Sequence, residues 1–514
     1  MKRASDLRPQ TSDLRPQTSD LGETSLLFLP DSFACADFRC EDVCCNLMIQ
    51  AKVRGLTPDA RLMSYETAVA SMFALGHELA HMPSHKFDLA HMRVLLRALE
   101  HPESAFPSVL IAGTNGKGST AATLSSILHA SGLKTALYTS PHLIRINERI
   151  CVNGIEIGDD DFARLHCEVD RVAERLMSDG ELPWHPSFFE MMTAIAFLHF
   201  ARERVDIAVL EVGMGGRLDA TNVVEPLVSV IADISLDHQK FLGNTVGEIA
   251  REKAGIIRAG GVVVTLPQQP EANDVIGNTI LNLGAVGVSA VQYVPPVSPG
   301  STESRVVSTE NNSCRSCYPL QVMGKQILVE SPLVGRHQLR NVALAIAAAE
   351  ELSKKGLAGI TPESIEQGIR ETRWPGRFQV LPAGGGWPEI VLDVAHNPAG
   401  AWALRSALSE RYDDRPLIFV FGAMRDKAIS EMAEILFPLA VRVIATRPDN
   451  PRAASPEEIL QAGSRTGAEI EAVSEVRAAL ERARGSAEAG ELVVVTGSIY
   501  LVGEVISLLQ AARA

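Results

Sequence analysis

No uninterrupted apolar run in this 514-residue sequence approaches the roughly 20 residues that a membrane-spanning helix needs. The nearest candidate, 492–509, is broken by Thr496, Gly497, Ser498, Gly503 and Glu504, so no membrane partner is expected. Behind Met1-Lys2-Arg3 there is no apolar stretch of the kind a secretory leader carries, and Leu26-Leu27-Phe28-Leu29 is too short to serve as one. The expectation is a soluble, cytoplasmic protein. Basic charge is also in short supply: 48 Lys and Arg stand against 62 Asp and Glu, a formal charge of -14. That imbalance disfavours nucleic acid or an anionic membrane surface as the main partner, while small anions still fit a local basic cleft. Cysteine supplies no framework either. Four of the eight cysteines (Cys35, Cys40, Cys44, Cys45) crowd into the N-terminal segment, and a disulfide scaffold does not suit a large cytosolic chain. Cys314 and Cys317 form a C-x-x-C pair, but the Ser- and Asn-rich neighbourhood lacks the second pair or the histidines that zinc requires. They read as incidental loop cysteines.

What is present is apolar content and alternation. A hydrophobic share of 46% is ample for cores in two or three domains. Residues 5–11 recur at 12–18 and decay into a third copy from Ser19. Each copy carries one apolar residue and one proline, too little for a helical stripe or a packed strand. Residues 1–62 are therefore expected to be a disordered extension or a wrongly assigned start, dispensable for activity. From Met63 the pattern turns amphipathic and helical through Leu99. Strand-like runs at 109–112, 135–138, 205–212, 227–234 and 261–266 then alternate with helical ones at 119–131, 160–177, 188–201 and 245–257. Such alternation predicts an α/β domain with a mainly parallel sheet. The Pro-, Ser-, Asn- and Gly-rich stretch 295–326 is expected to be an irregular excursion. A long alanine-rich helix over 335–355 and a Trp374-Pro375-Gly376 break follow, and strands at 390–394, 417–421, 442–445 and 492–496 alternate with helices again. The predicted division is a domain over 63–372 and a smaller Rossmann-like α/β domain over 373–514.

The first chemistry lies behind the first strand. Val109-Leu110-Ile111-Ala112 runs into Gly113-Thr114-Asn115-Gly116-Lys117-Gly118-Ser119-Thr120 and then a helix. Glycines let backbone N–H groups approach phosphate oxygens, Lys117 neutralises them, the helix N-terminus adds its dipole, and Ser119 or Thr120 can sit near a metal. The spacing departs from G-x-x-x-x-G-K-[ST], because Ile111 stands at the first glycine and Gly118 follows the lysine. An empty glycine-rich turn is the ordinary alternative; a lysine between two glycines behind an apolar strand favours phosphate. A second apolar strand ends in Glu211, ahead of Gly213-Met214-Gly215-Gly216-Arg217-Leu218-Asp219-Ala220-Thr221-Asn222. A carboxylate at the carboxyl end of a parallel strand faces the ligand crevice, which makes Glu211 a candidate Mg²⁺ ligand rather than a solvated strand end. A third strand leads to Asp237-His238, and a helix bears Arg251-Glu252-Lys253-Ala254-Gly255.

These runs resemble the folylpolyglutamate synthase branch of the Mur ligases. The resemblance extends through Thr139-Ser140-Pro141-His142-Leu143, Asn147-Glu148-Arg149-Ile150, Ser235-Leu236-Asp237-His238, Gly335-Arg336-His337-Gln338 with Asn341, and Trp374-Pro375-Gly376-Arg377-Phe378. It continues with Asp393-Val394-Ala395-His396-Asn397-Pro398 and Gly497-Ser498-Ile499-Tyr500-Leu501-Val502-Gly503-Glu504, in the family's order from about Met63 to the end. It implies a P-loop ATPase domain that binds ATP and folate, a second domain that binds glutamate, and two Mg²⁺ ions, with K⁺ a further candidate. Ser140 and Glu211, joined by Ser119, would hold one metal and His238 the second. Lys253 matches a lysine that carries a carbamate in the family, an ion pair with Glu252 being the bland alternative. Gly113 to Thr120, Asn341, Arg377, Asp393 and His396 match the ATP site. Ser187 and Phe188, beside Phe189 and Glu190, resemble a stretch near bound pterin, although both phenylalanines fit a core equally; Arg217, Leu218 and Asp219 are further substrate candidates. The implied reaction is ATP-dependent ligation of L-glutamate to a reduced folate or dihydropteroate through an acyl phosphate, catalysed by a monomer. Another Mur-type amino-acid ligase and a non-ligating nucleotide switch are the rival readings.

Overall fold

The structure, a computed structural model, describes residues 63–76, 88–296, 305–308, 314–487 and 490–511. The heptapeptide repeats and the four N-terminal cysteines lie outside the described residues. So does the join between the helices Tyr65–Ala74 and Leu89–Ala98, into which the 63–99 pattern resolves.

Eight strands build the first sheet: β1 (Ser108–Ala112), β2 (Thr135–Tyr138), β3 (Ile150–Val152), β4 (Ile155–Glu156), β5 (Ile207–Glu211), β6 (Val228–Ile231), β7 (Val262–Thr265) and β8 (Val286–Ser289). Their order is β4-β3-β2-β5-β1-β6-β7-β8, parallel except for the ribbon β2-β3-β4 at one edge. β1 is buried along its whole length, which is why it reads as a continuous apolar run rather than an alternating one. Its side chains still divide by face. Leu110 and Ala112 join a core with Phe162, Phe197 and Ile249, while Val109 and Ile111 join another with Leu124, Val342 and Ile365. Helices thus cover both faces: Asp159–Ser178, Phe188–Glu203 and Val246–Ala254 on one, Lys117–Ala130, Arg336–Lys354 and Pro362–Glu371 on the other.

The expected excursion at 295–326 is corrected by the structure. β9 (Arg305–Ser308), β10 (Cys314–Val322) and β11 (Lys325–Ser331) form an antiparallel sheet, in the order β11-β10-β9. Tyr318, Val322, Ile327 and Val329 pack from it onto the core that also holds Val342. Proline and polar residues on the outward face hid the two-residue period. Pro319 fits because β9 pairs only with Cys314 to Cys317, so the strand has one neighbour where the N–H is missing.

A second lobe is built on β12 (Gln379–Leu381), β13 (Glu389–Leu392), β14 (Leu417–Phe421), β15 (Ala440–Arg447), β16 (Ile470–Glu475) and β17 (Leu492–Thr496), ordered β12-β13-β17-β14-β15-β16. Only β12 runs antiparallel to its neighbour. Phe419 and Phe421 face one helical layer and Ile418 and Val420 the other, the same two-faced burial as in the first sheet. Among the described residues no helix is long and apolar enough to cross a membrane.

Candidate active site

From β1 the chain passes to β2 on one side, and the later strands β6, β7 and β8 lie on the other, so the carboxyl end of β1 opens a crevice between β5 and β6. The loop Gly113 to Gly116 fills it and feeds the helix Lys117–Ala130. Two backbone donors help tie the loop down: the Thr114 and Asn115 N–H groups donate to the Asp233 carbonyl at 2.8 and 3.1 Å. Gly116 has φ 86°, and a Cβ there would lie 2.1 Å from Asn341 Oδ1, so the turn accepts only glycine. Lys117 curls back and donates from Nζ to the carbonyls of Gly113 and Thr114 at 3.1 and 3.3 Å. Lys253 reaches the same Gly113 carbonyl at 2.7 Å from its helix.

These groups line a cavity of about 630 Å³, within the usual size of small-molecule sites. Both lobes contribute. Gly113 to Ser119, Ser140, Ser187, Glu211, Leu218, Asp219, His238, Lys253 and Asn341 come from the first, and Arg377, Asp393 and His396 from the second. Three of the candidates are not on its wall. The Thr120 hydroxyl is buried without a hydrogen-bond partner among the described residues, Phe188 stacks on Phe73 at 5.9 Å beside a neighbouring cavity, and Arg217 turns outward to Glu252 at 3.0 Å. Phe189, the other member of the pair, is the one that faces the site, and a Cβ on Gly213 would press on its ring at 2.5 Å. Ser187 also caps the helix Phe188–Glu203 in a capping box with Glu190.

Burial sets the charge states. It pushes the Glu211 carboxyl up, and Lys117, the Ser140 N–H at 3.2 Å, Arg377 and Arg149 act against it. It brings Lys253 down to about 7, with Lys117 repelling the same charge. His238 and His396 are both brought down to about 4 by burial, with Lys427 adding to the effect, so both rings are neutral at pH 7. Neutral imidazole is the metal-binding form. Asp219 and Asp393 are raised by burial, yet each carboxylate accepts backbone N–H groups, from Met214 and Thr221 and from Phe378 and Ala395. Both therefore also anchor their own turns.

Several groups on this wall are absent from the sequence-based site. Asp237 bonds Lys427 and Asn397 from the second lobe. Arg340 clamps Asp233 through Nε and Nη2, behind the loop's anchoring carbonyl. Lys427 stands just past the carboxyl end of β14, where the crevice rule for parallel sheets places ligand-facing residues; that position was the available signal. Among the described residues no three His, Cys, Asp or Glu side chains cluster as a metal cage. One buried carboxylate with nearby hydroxyls is a donor set that fits Mg²⁺, which takes one or two carboxylates and completes its shell with phosphate oxygens and water.

A glycine-rich loop on one sheet faces a second α/β lobe across a shared cavity, and the chain falls among the Mur ligases: the family models for the Mur ligase middle domain and the Mur ligase glutamate ligase domain match residues 111–349 and 376–499. A Bacillus subtilis dihydrofolate synthase/folylpolyglutamate synthase is 36% identical over 423 residues, spanning 81% of this chain and 94% of its own. The Mycobacterium tuberculosis folylpolyglutamate synthase complexed with ADP and AMPPCP has a TM-score of 0.75 at 30% identity, covering 86% of this chain and 98% of that one. E. coli FolC in complex with DHPP and ADP has a TM-score of 0.71 at 28% identity, covering 89% and 100%. The chain belongs to the folylpolyglutamate synthase/dihydrofolate synthase family.

Proposed function

We infer that this chain joins L-glutamate to the carboxylate of a reduced folate or of dihydropteroate at the expense of ATP. The observation that carries the reading is a single cavity walled by the Lys117 loop of one lobe and by Arg377, Asp393 and His396 of the other. Family membership favours the folate branch over the two rival readings, and relatives solved with ADP, AMPPCP and DHPP support a nucleotide and a pterin-type acceptor in this fold. The division of labour follows the two sheets, with the boundary near residues 372 and 373.

In the first step an acceptor carboxylate oxygen attacks the γ-phosphorus of ATP, the bond to the ADP oxygen breaks, and an acyl phosphate forms. Two anions must approach, so the chain's task is to offset their repulsion. Loop N–H groups and the helix N-terminus receive the phosphates, Lys117 leaves its loop carbonyls for them, and Arg377 adds charge from the facing lobe. Mg²⁺, when bound, supplies further neutralisation of the phosphate oxygens; Glu211, Ser119 and Ser140 would hold one ion and neutral His238 a second, with Lys253 joining as a carbamate. An amine with a pKa of about 7 is uncharged in about half of the molecules at neutral pH and can take up CO₂, which turns a repelling cation into an oxygen donor. In the second step the glutamate amine attacks the acyl carbon, loses a proton and displaces phosphate. Closure of the two walls excludes water from the acyl phosphate.

Purified protein given ATP, Mg²⁺ and labelled glutamate, with dihydropteroate and tetrahydrofolate offered separately, tests this. ADP release should require both glutamate and an acceptor, and the acceptor that incorporates label defines the activity. ADP release indifferent to both would overturn the ligase reading.

A further inference from the structure

Asp237 and Lys427 form an ion pair at 2.6 Å, with side chains only 8% and 10% exposed. They come from different lobes. Asp237 lies in the turn after β6, Lys427 in the turn after β14, and both sit on the wall of the shared cavity. Asp237 Oδ2 also accepts from Asn397 Nδ2 at 3.2 Å, and that amide donates to Asn115 Oδ1 of the phosphate loop at 3.0 Å. Asn397 is held in turn as the N-cap of the helix Pro398–Tyr412, its Oδ1 accepting from Gly400 N–H at 2.8 Å. One carboxylate therefore joins the phosphate loop, the Asp237-His238 turn and two loops of the second lobe.

As a cohesive contact this arrangement is poor. Desolvation cancels much of the attraction within a buried ion pair, and an apolar contact of similar size would hold two surfaces at least as well. What the pair adds is direction. Asp237 and Lys427 satisfy each other only at one relative position of the lobes, and Asn397 reports that same position to Asn115. His238 and His396 lie 4.0 and 3.8 Å from the same carboxylate, beyond hydrogen-bond reach, and the His396 ring is held instead by its Nδ1 contact with the Val394 carbonyl at 2.9 Å.

We propose that Lys427 is a positioning residue for ligation: through Asp237 and Asn397 it locks the second lobe onto the phosphate loop, so that Arg377, Asp393 and His396 face the nucleotide tail. The inference rests on the ligase reading above. Lys427 acts through Asp237 and not on the nucleotide, so its loss should separate catalysis from nucleotide binding.

The test uses the full chain with Lys427→Met, Lys427→Arg and Asn397→Ser, the last chosen because serine keeps the helix cap but loses the amide bridge. For Lys427→Met, kcat should fall roughly a hundredfold, the scale of an ångström-sized misplacement of reacting groups, with ATP affinity within about threefold of wild type. Lys427→Arg should recover most of that loss, and Asn397→Ser should lower kcat in the same sense by roughly tenfold. Backbone hydrogen exchange should quicken in Lys427→Met and Asn397→Ser across 235–243 and 395–400. Lys427→Met with kcat within about threefold of wild type, or with kcat and ATP affinity falling together while exchange is unchanged, would overturn the proposal. If wild-type protein ligates glutamate to neither acceptor, the functional reading fails instead, and the exchange measurements still decide whether the latch exists.

Discussion

Lys253 is the residue on which burial acts with the clearest consequence. Its folded pKa of about 7 lies below the ordinary 10.5, so the folded state gives up the proton first. Stability therefore rises with pH between those two values, and the charged amine is a cost below the lower one. Lys253→Met should accordingly raise the melting temperature more at pH 6 than at pH 9, a difference readable by calorimetry, while ligation falls by roughly a hundredfold or more. Glu211→Ala should cost as much activity, and turnover close to wild type in either variant would contradict the assignment of both to the site. His166 offers a second case, away from the cavity. It is fully buried, neither ring nitrogen has a hydrogen-bond partner among the described residues, and burial lowers its pKa. The folded state resists the proton that the unfolded chain accepts, so stability is lost as pH falls below about 6.5. His166→Leu should stabilise the chain by about 1–3 kcal/mol and flatten the acid side of its stability profile in urea titrations from pH 5 to 8. Neither effect is legible in the sequence, which names a lysine or a histidine and says nothing of how much water surrounds it.

At the level of elements, the phosphate loop is set by glycine geometry. Gly116→Ala would place a methyl against Asn341 in a left-handed turn. The strain of about 1–3 kcal/mol for a non-glycine residue there is carried by the folded chain, so calorimetry should show a lower melting temperature, and a loop that relaxes out of this turn should lose tenfold to hundredfold in ATP affinity. That loop was legible because strand, glycines, lysine and helix are contiguous in sequence. The sheet β9 to β11 was not, since proline and polar residues mask its alternation and its partners are supplied by the core around Val342. The Phe188 and Phe189 pair shows the same limit on a smaller scale. Adjacent residues on a helix point about 100° apart, and only packing decides which ring meets the core and which meets the cavity.

For the whole molecule, the decisive contact is between lobes. The helix Ile499–Ala511 approaches the loop after Ser140 so closely that a Cβ on Gly503 would lie 1.9 Å from the Leu143 carbonyl oxygen. Gly503→Ala should wedge the lobes apart while each keeps its own core, lowering kcat by roughly a hundredfold with ATP affinity within about threefold, and steady-state kinetics beside nucleotide titration would check it. The local geometry of the chain was determined by sequence alone: strand-loop-helix contiguity specifies a glycine-rich turn at a helix N-terminus, two-faced apolar runs specify parallel sheets, and Glu211 at a strand end specifies a carboxylate in the crevice. Which distant groups share that crevice was decided only by tertiary structure. Asn115 and Asn397 stand 282 positions apart, and Asp237 and Lys427 190. Periodicity and propensity act over a few residues, whereas the meeting of such groups depends on how two separately packed cores face one another across the cleft.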